Sequence, residues 1–214
     1  MKNSSVDDTS RFPALIKLLA IELPAGNTLL ALEGVDLHHA LQNLNCVLPA
    51  FLRTLLVADG TVTMAIEAYY AESVEVKTIN QSLEILRGPF PMLSVADSEN
   101  VLYREVILRG CESGRVYASA YSLIRESVIA TSLYHELVAQ RVGIGTLLRN
   151  TAKGSYREIL NMRSGGIHGA SRKNLDQLIS TNSELVSRTY RVFLDGVPGI
   201  LITEVFPIAP YLME

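Results

Sequence analysis

Two charged residues stand in rows that are otherwise apolar. Along 101–109 side chains alternate, so Leu102, Arg104, Val106 and Leu108 share one face of a strand while Tyr103, Glu105, Ile107 and Arg109 share the other. Near the C-terminus, Ile200, Ile202, Glu204 and Phe206 share a face in the same way. A guanidinium or a carboxylate turned toward a core is costly unless it is paired. Each placement therefore has two readings, a structural ion pair or a pocket that receives a polar ligand. A cation and an acid on an antiparallel sheet suit a small anion with an apolar ring. Spacing alone does not decide whether the two faces meet.

Other chemistry-bearing patterns are weaker. The run Gly143-Ile144-Gly145-Thr146-Leu147-Leu148-Arg149 lacks both a strand just ahead of it and an acidic residue at dinucleotide-fold spacing. It reads instead as a tight turn into a helix whose free N–H groups can meet an anionic ligand. His38, His39, His135 and His168 show no metal-ligand spacing, so no metal site is expected, and no Ser, Thr or Cys sits in a nucleophile-elbow pattern. Cys46 and Cys111 lie far apart with no neighbouring ligand and read as buried, reduced thiols. The glycine-rich stretch 163–172 reads as a flexible surface loop or a mobile lid.

The elements that must carry Arg104 and Glu204 follow from periodicity. Leu37, Leu41, Leu44, Leu48, Phe51, Leu52 and Leu55 recur at three- and four-residue steps. Pro49 divides them into a helix over 36–46 and a second helix beginning at the proline. From Thr61 the period changes. Val62, Met64, Ile66 and Ala68 alternate with polar or small residues, as do Val74, Val76 and Thr78, which suggests a β-hairpin. A second hairpin is expected from 101–109 and 115–124, and a third from 188–194 and 199–206 around Asp195-Gly196. Between them, 132–150 and 156–162 read as helical. The result is an α+β fold, a six-stranded antiparallel sheet covered by helices.

The chain has 214 residues, 48% hydrophobic and 19% charged, with a net charge of −3. That length suits one compact domain, and the absence of a cationic excess argues against nucleic acid as a partner. No apolar run approaches the roughly 18 to 20 residues of a membrane span. The polar first 13 residues do not read as a signal peptide, so a soluble cytoplasmic protein, monomer or dimer, is expected. Residues 1–48 read as an N-terminal extension with a frayed start and short helices, packed on a main domain over 49–214.

Four segments, in order, resemble the chorismate pyruvate-lyases: Leu55-Leu56-Val57-Ala58-Asp59-Gly60-Thr61-Val62-Thr63, Leu102-Tyr103-Arg104-Glu105-Val106, the run from Gly143 to Arg149, and Leu201-Ile202-Thr203-Glu204-Val205-Phe206-Pro207. The resemblance is to the branch found in mycobacteria, archaea and cyanobacteria, and it spans about 49–211. It implies a chorismate lyase-like sheet enclosing a small internal pocket, and cleavage of chorismate into 4-hydroxybenzoate and pyruvate without metal or organic cofactor. The partner is then a small aromatic or cyclohexadiene carboxylate. By motif position, Arg104 would pair with the ring carboxylate, backbone amides at Val62 and Leu147 would complete that anion site, and Glu204 would face the ether or hydroxyl oxygen.

The chain departs from the proteobacterial lyases where they carry a Gly-Arg pair; here the residues are Ser119-Ala120. A related lyase or dehydratase acting on another substrate is therefore a second reading. The fold also serves as a ligand-sensing domain behind a DNA-binding unit, but residues 1–48 contain no basic recognition helix.

Overall fold

The computed structural model describes residues 41–42, 44, 47–140, 143–145, 148, 154–164 and 184–212. Two helices, α1 (Ala50–Val57) and α2 (Val62–Tyr70), precede three strands, β1 (Val74–Arg87), β2 (Ser98–Gly110) and β3 (Val116–Arg125). Then come α3 (Thr131–Val138) and the strands β4 (Ser155–Ser164), β5 (Leu185–Leu194) and β6 (Val197–Pro207). The six strands form one antiparallel sheet in the order β1-β2-β3-β6-β5-β4. The α+β expectation holds, and the strand count is six.

Two local readings are corrected. Residues 62–70 are helical, not the first arm of a hairpin, and β1 pairs along its whole length with β2. The alternation of Val62, Met64, Ile66 and Ala68 coexists with a four-residue step. The helix buries Val62 and Ile66 together, and Tyr69 stacks on Phe51 of α1 with ring centroids 3.9 Å apart. Residues 156–162 are not helical but belong to β4, where the open edge of β5 offers a ladder of backbone partners that outweighs local preference. Pro49 sits just ahead of α1 as expected. Of the helix expected over 36–46, Leu41 and Gln42 are helical and Leu44 is a bend; the remainder, like residues 1–40, lies outside the described residues. Cys111 is free and exposed in the β2–β3 turn rather than buried; Cys46 is outside the described residues.

The sheet is apolar on both faces. On one, Val101, Tyr103, Tyr121, Leu123, Leu201 and Val205 pack with Met92 and Leu93 from a 3-10 turn. On the other, Leu108, Ala118, Val186 and Phe206 pack under α1 and α2, while Leu102, Ile124, Val192, Ile200 and Ile202 pack with Tyr134 and Leu137 of α3. This second face also carries Arg104 and Glu204. Its rows run straight across the strands: Gln81, Arg104, Ser122, Ile202, Tyr190 and Ile159 form one, and Val106, Ala120, Glu204, Arg188 and Met162 the next. The β5–β6 hairpin closes on Asp195 (φ 49°) and Gly196 (φ 81°), both left-handed as its two-residue turn requires. Among the described residues, no helix is long and apolar enough to cross a membrane.

Glu72, just after α2, fastens the β2–β3 turn. Its Oε1 accepts from the Tyr117 hydroxyl and from Ser113 Oγ at 2.8 Å, and its Oε2 accepts from the amides of Ser113 at 3.0 Å and Glu112 at 3.2 Å. The Tyr117 hydroxyl, followed by the Ser113 amide, holds the Glu72 carboxyl down to about 2, against 4.5 for an ordinary glutamate. A depressed folded-state value contributes stability above the unfolded value that is lost as pH falls. Urea-unfolding midpoints are therefore expected to drop as pH falls from about 4.5 toward about 2, and Glu72→Gln is expected to flatten that slope.

Candidate functional site

Beneath α2, on the helix-covered face of the sheet, lies a cavity of about 500 Å³. Its floor is the strand lattice: Arg104, Val106 and Leu108 from β2, Ala120 and Ser122 from β3, Ile202 and Glu204 from β6, and Tyr190 from β5. Its walls come from Thr61 to Met64 at the start of α2, and from Gly143, Ile144, Gly145 and Leu148. Arg157 of β4 closes another side.

Arg104 is almost fully buried, and burial pushes its pKa below the usual arginine value. Its Nη2 donates to Thr78 Oγ1 at 3.1 Å, and its backbone carbonyl accepts from Ser122 Oγ at 3.3 Å. Beside it, Gln81 Nε2 donates to the carbonyl of Val138 at 2.7 Å, tying the end of α3 to β1. The guanidinium thus lies at the cavity floor with Thr78, from the adjacent row on β1, as an acceptor.

The partner of Glu204 is Arg188, a residue the sequence reading did not single out. Arg188 Nε donates to Glu204 Oε2 at 2.7 Å, and the Tyr190 hydroxyl donates to Oε1 at 3.0 Å. Both carboxylate oxygens therefore act as acceptors. Arg188 is 1% exposed. Burial works against its charge, but the Glu204 carboxylate and Tyr190 outweigh it and the arginine pKa is raised. Burial, reinforced by the Glu204 charge, likewise raises the Tyr190 phenol, which stays a neutral donor. Arg188 Nη1 reaches past the sheet to the carbonyls of Leu56 at 3.2 Å and Ala58 at 2.9 Å, the unpaired C-terminal carbonyls of α1. Glu204 is thus ion-paired from one side, as the structural reading of its placement expects, and lines the cavity on the other.

The α1–α2 connection presents the third element. Ala65 N donates to Thr61 O at 3.2 Å as the first bond of α2, so the amides of Val62, Thr63 and Met64 have no partner within the helix. The N-cap Thr61 makes no side-chain capping bond. Val62, expected as an amide donor, is placed at the cavity wall. Leu147, its expected counterpart, lies outside the described residues; its neighbours Ile144, Gly145 and Leu148 line the cavity. A Cβ on Gly145 would come within 3.0 Å of Thr61 Cγ2, so glycine lets this backbone approach the start of α2. Arg157 Nη1 donates to both the carbonyl and Oδ1 of Asp59 in the same connection, the latter at 3.1 Å.

Of the residues missed, Arg188 carried a signal. Val186, Arg188, Tyr190 and Val192 form the same kind of charged interruption in an alternating row as Arg104 and Glu204 do. Arg157 carried none once its segment was taken as helix.

Comparison with known proteins places this geometry in context. The model of the chorismate pyruvate-lyase Rv2949c-like family matches residues 56–213. The chorismate pyruvate-lyase of Mycobacterium leprae is 27% identical over 157 residues, 72% of this chain and 73% of that protein. The enzyme of the same name from Mycobacterium tuberculosis is 25% identical over 158 residues, 72% and 78% of the two chains. Among solved structures, the effector domain of PhnF from Mycobacterium smegmatis superposes with a TM-score of 0.48 at 13% identity, covering 71% of this chain and 90% of that one.

Removing one partner of a buried ion pair leaves the other charge stranded, at a cost of about 3–5 kcal/mol. Arg188→Met is expected to lower unfolding free energy by about that amount, and Arg188→Met combined with Glu204→Met to recover much of it. Urea denaturation of the two variants and the wild type checks this.

Proposed function

The chain belongs to the chorismate pyruvate-lyase Rv2949c-like family, and from that membership and the cavity we propose that it eliminates pyruvate from chorismate to leave 4-hydroxybenzoate. The observation that carries the reading is the placement of Arg104 and Glu204. They lie on one sheet face, two strand spacings apart and one row offset, and line the same cavity. Two spacings are roughly 10 Å of sheet. A six-membered ring with a carboxylate at one end and a hydroxyl at the other fits between such a cation and such an acceptor.

In this reading Arg104 binds the ring carboxylate as a charge-assisted pair, joined by the free amide of Val62 and, by resemblance, that of Leu147. Glu204, with Arg188 and Tyr190 already donating to it, accepts a hydrogen bond from the ring hydroxyl rather than supplying a proton to the ether oxygen. The elimination needs no oxidant or reductant. The ring loses one hydrogen and its bond to the ether oxygen, a proton goes to the methylene carbon of the side chain to complete pyruvate, and the ring becomes aromatic. A reaction that draws its driving force from aromatisation asks the protein chiefly for orientation and a fixed electrostatic frame. Ile202, Val106 and Leu108 supply the apolar surface beside the ring, and α2 shields it from bulk water.

Incubating the protein with chorismate is expected to give 4-hydroxybenzoate and pyruvate in equal amounts. Arg104→Gln is expected to raise KM about 10- to 100-fold, as loss of a charge-assisted hydrogen bond to the substrate would. Glu204→Gln, which keeps an acceptor but not the charge, is expected to lower kcat about 10-fold or more. Binding of 4-hydroxybenzoate without any turnover would overturn the reading in favour of a sensor domain or an enzyme for a related substrate.

A further inference from the structure

A second arginine on the cavity has no role in the account above. Arg157 lies on the edge strand β4, and Arg104 on β2 toward the opposite edge, four strand spacings away in the sheet order. That is roughly 19 Å of sheet. The row of Arg157 runs through Val192, Ile200, Ile124 and Leu102, one step from the row of Arg104, Ser122, Ile202 and Tyr190. Both guanidinium side chains line the one cavity, and among its described lining residues they are the only cations. The acids on that lining are already engaged, Glu204 by Arg188 and Tyr190, and Glu67 by the amide of Val74 at 3.0 Å.

We propose that Arg157 is the specificity residue that binds the second carboxylate of a dianionic substrate, an inference that rests on the lyase reading above. Chorismate carries one carboxylate on its ring and another on its enolpyruvyl side chain. With Arg104 on the first, the second would be buried in the cavity uncompensated unless a second cation met it. Arg157 has the capacity to do so. Its side chain is 17% exposed, and its Nε is buried with no hydrogen bond among the described residues. Its described acceptors, the carbonyl and Oδ1 of Asp59, both fall on Nη1. The Asp59 side chain is 72% exposed, so that ion pair is solvated and screened, and a substrate carboxylate competes with it readily. The planar fork of an arginine, with donors beyond Nη1, suits a carboxylate. After cleavage the two carboxylates belong to different products. Arg104 then holds the aromatic acid, and Arg157 the three-carbon acid.

The division of labour separates substrate from product. Steady-state kinetics with chorismate, with 4-hydroxybenzoate as inhibitor, tests it on wild type, Arg157→Gln, Arg157→Lys and Arg104→Gln. Arg157→Gln is expected to raise KM for chorismate tenfold or more while changing the inhibition constant of 4-hydroxybenzoate less than twofold. Arg157→Lys, which keeps the charge without the fork, is expected to raise KM less. Arg104→Gln is expected to weaken both ligands. An unchanged KM in Arg157→Gln, or equal weakening of chorismate and 4-hydroxybenzoate, overturns the inference while leaving the lyase reading intact. If Arg157→Gln does not fold, Arg157→Lys decides: the same ratio of substrate to product weakening supports the role, and a ratio of one overturns it. Absence of turnover in wild type overturns the lyase reading, and the inference falls with it.

Discussion

A guanidinium sealed inside a sheet must find its counter-charge and its acceptors there, because water is not available to supply them. Arg188 meets that requirement at Nε and Nη1, though not at its buried Nη2, by joining three parts of the chain. It neutralises Glu204 on the neighbouring strand and lies 4.9 Å from the ring centre of Tyr190 on its own strand. It also satisfies the last carbonyls of α1. Those carbonyls lie at the end of α1 and in the connection that turns into α2, so one side chain ties the acceptor at the cavity floor to the segment that leads into its wall.

The same constraint explains why Glu204 is an acceptor. A carboxylate whose two oxygens already receive an N–H and an O–H keeps further lone pairs for another donor. The cavity floor combines the Arg104 guanidinium and the paired Glu204 carboxylate with the apolar side chains of Ile202, Val106 and Leu108.

The departure noted at Ser119-Ala120 takes on a structural meaning. Ala120 faces Glu204 across the β3–β6 ladder, and Arg188 faces it from the other side across β5–β6. A small residue on one flank leaves room in the cavity, and the guanidinium on the other flank keeps the carboxylate paired. The strand that supplies the positive charge beside Glu204 is β5, the inner neighbour of the edge strand that carries Arg157, so β4 and β5 together bring both cations of that half of the site.

Strict alternation around Arg104 and Glu204 was enough to identify two charges on apolar faces, because side-chain direction in a strand is a local property of period two. The β2–β3 and β5–β6 hairpins were legible for the same reason, helped by Asp195-Gly196, whose left-handed pair is a short-range demand. Residues 62–70 and 155–164 were not. Their apolar residues satisfy a period of two and a period near four at once, and the choice was made by what lay beside them, Phe51 of α1 for the first and the open edge of β5 for the second. The strands of the β2–β3 and β5–β6 hairpins, and the presence of Arg104 and Glu204 in apolar rows, were thus legible in the sequence itself. Only the tertiary structure decided that Glu204 meets Arg188, that Arg157 and Arg104 face one cavity, and that the start of α2 forms its wall. The bond from Arg188 to Leu56 beside them joins residues 132 positions apart, and the pairing order of strands that brings these residues together is a property of the whole sheet.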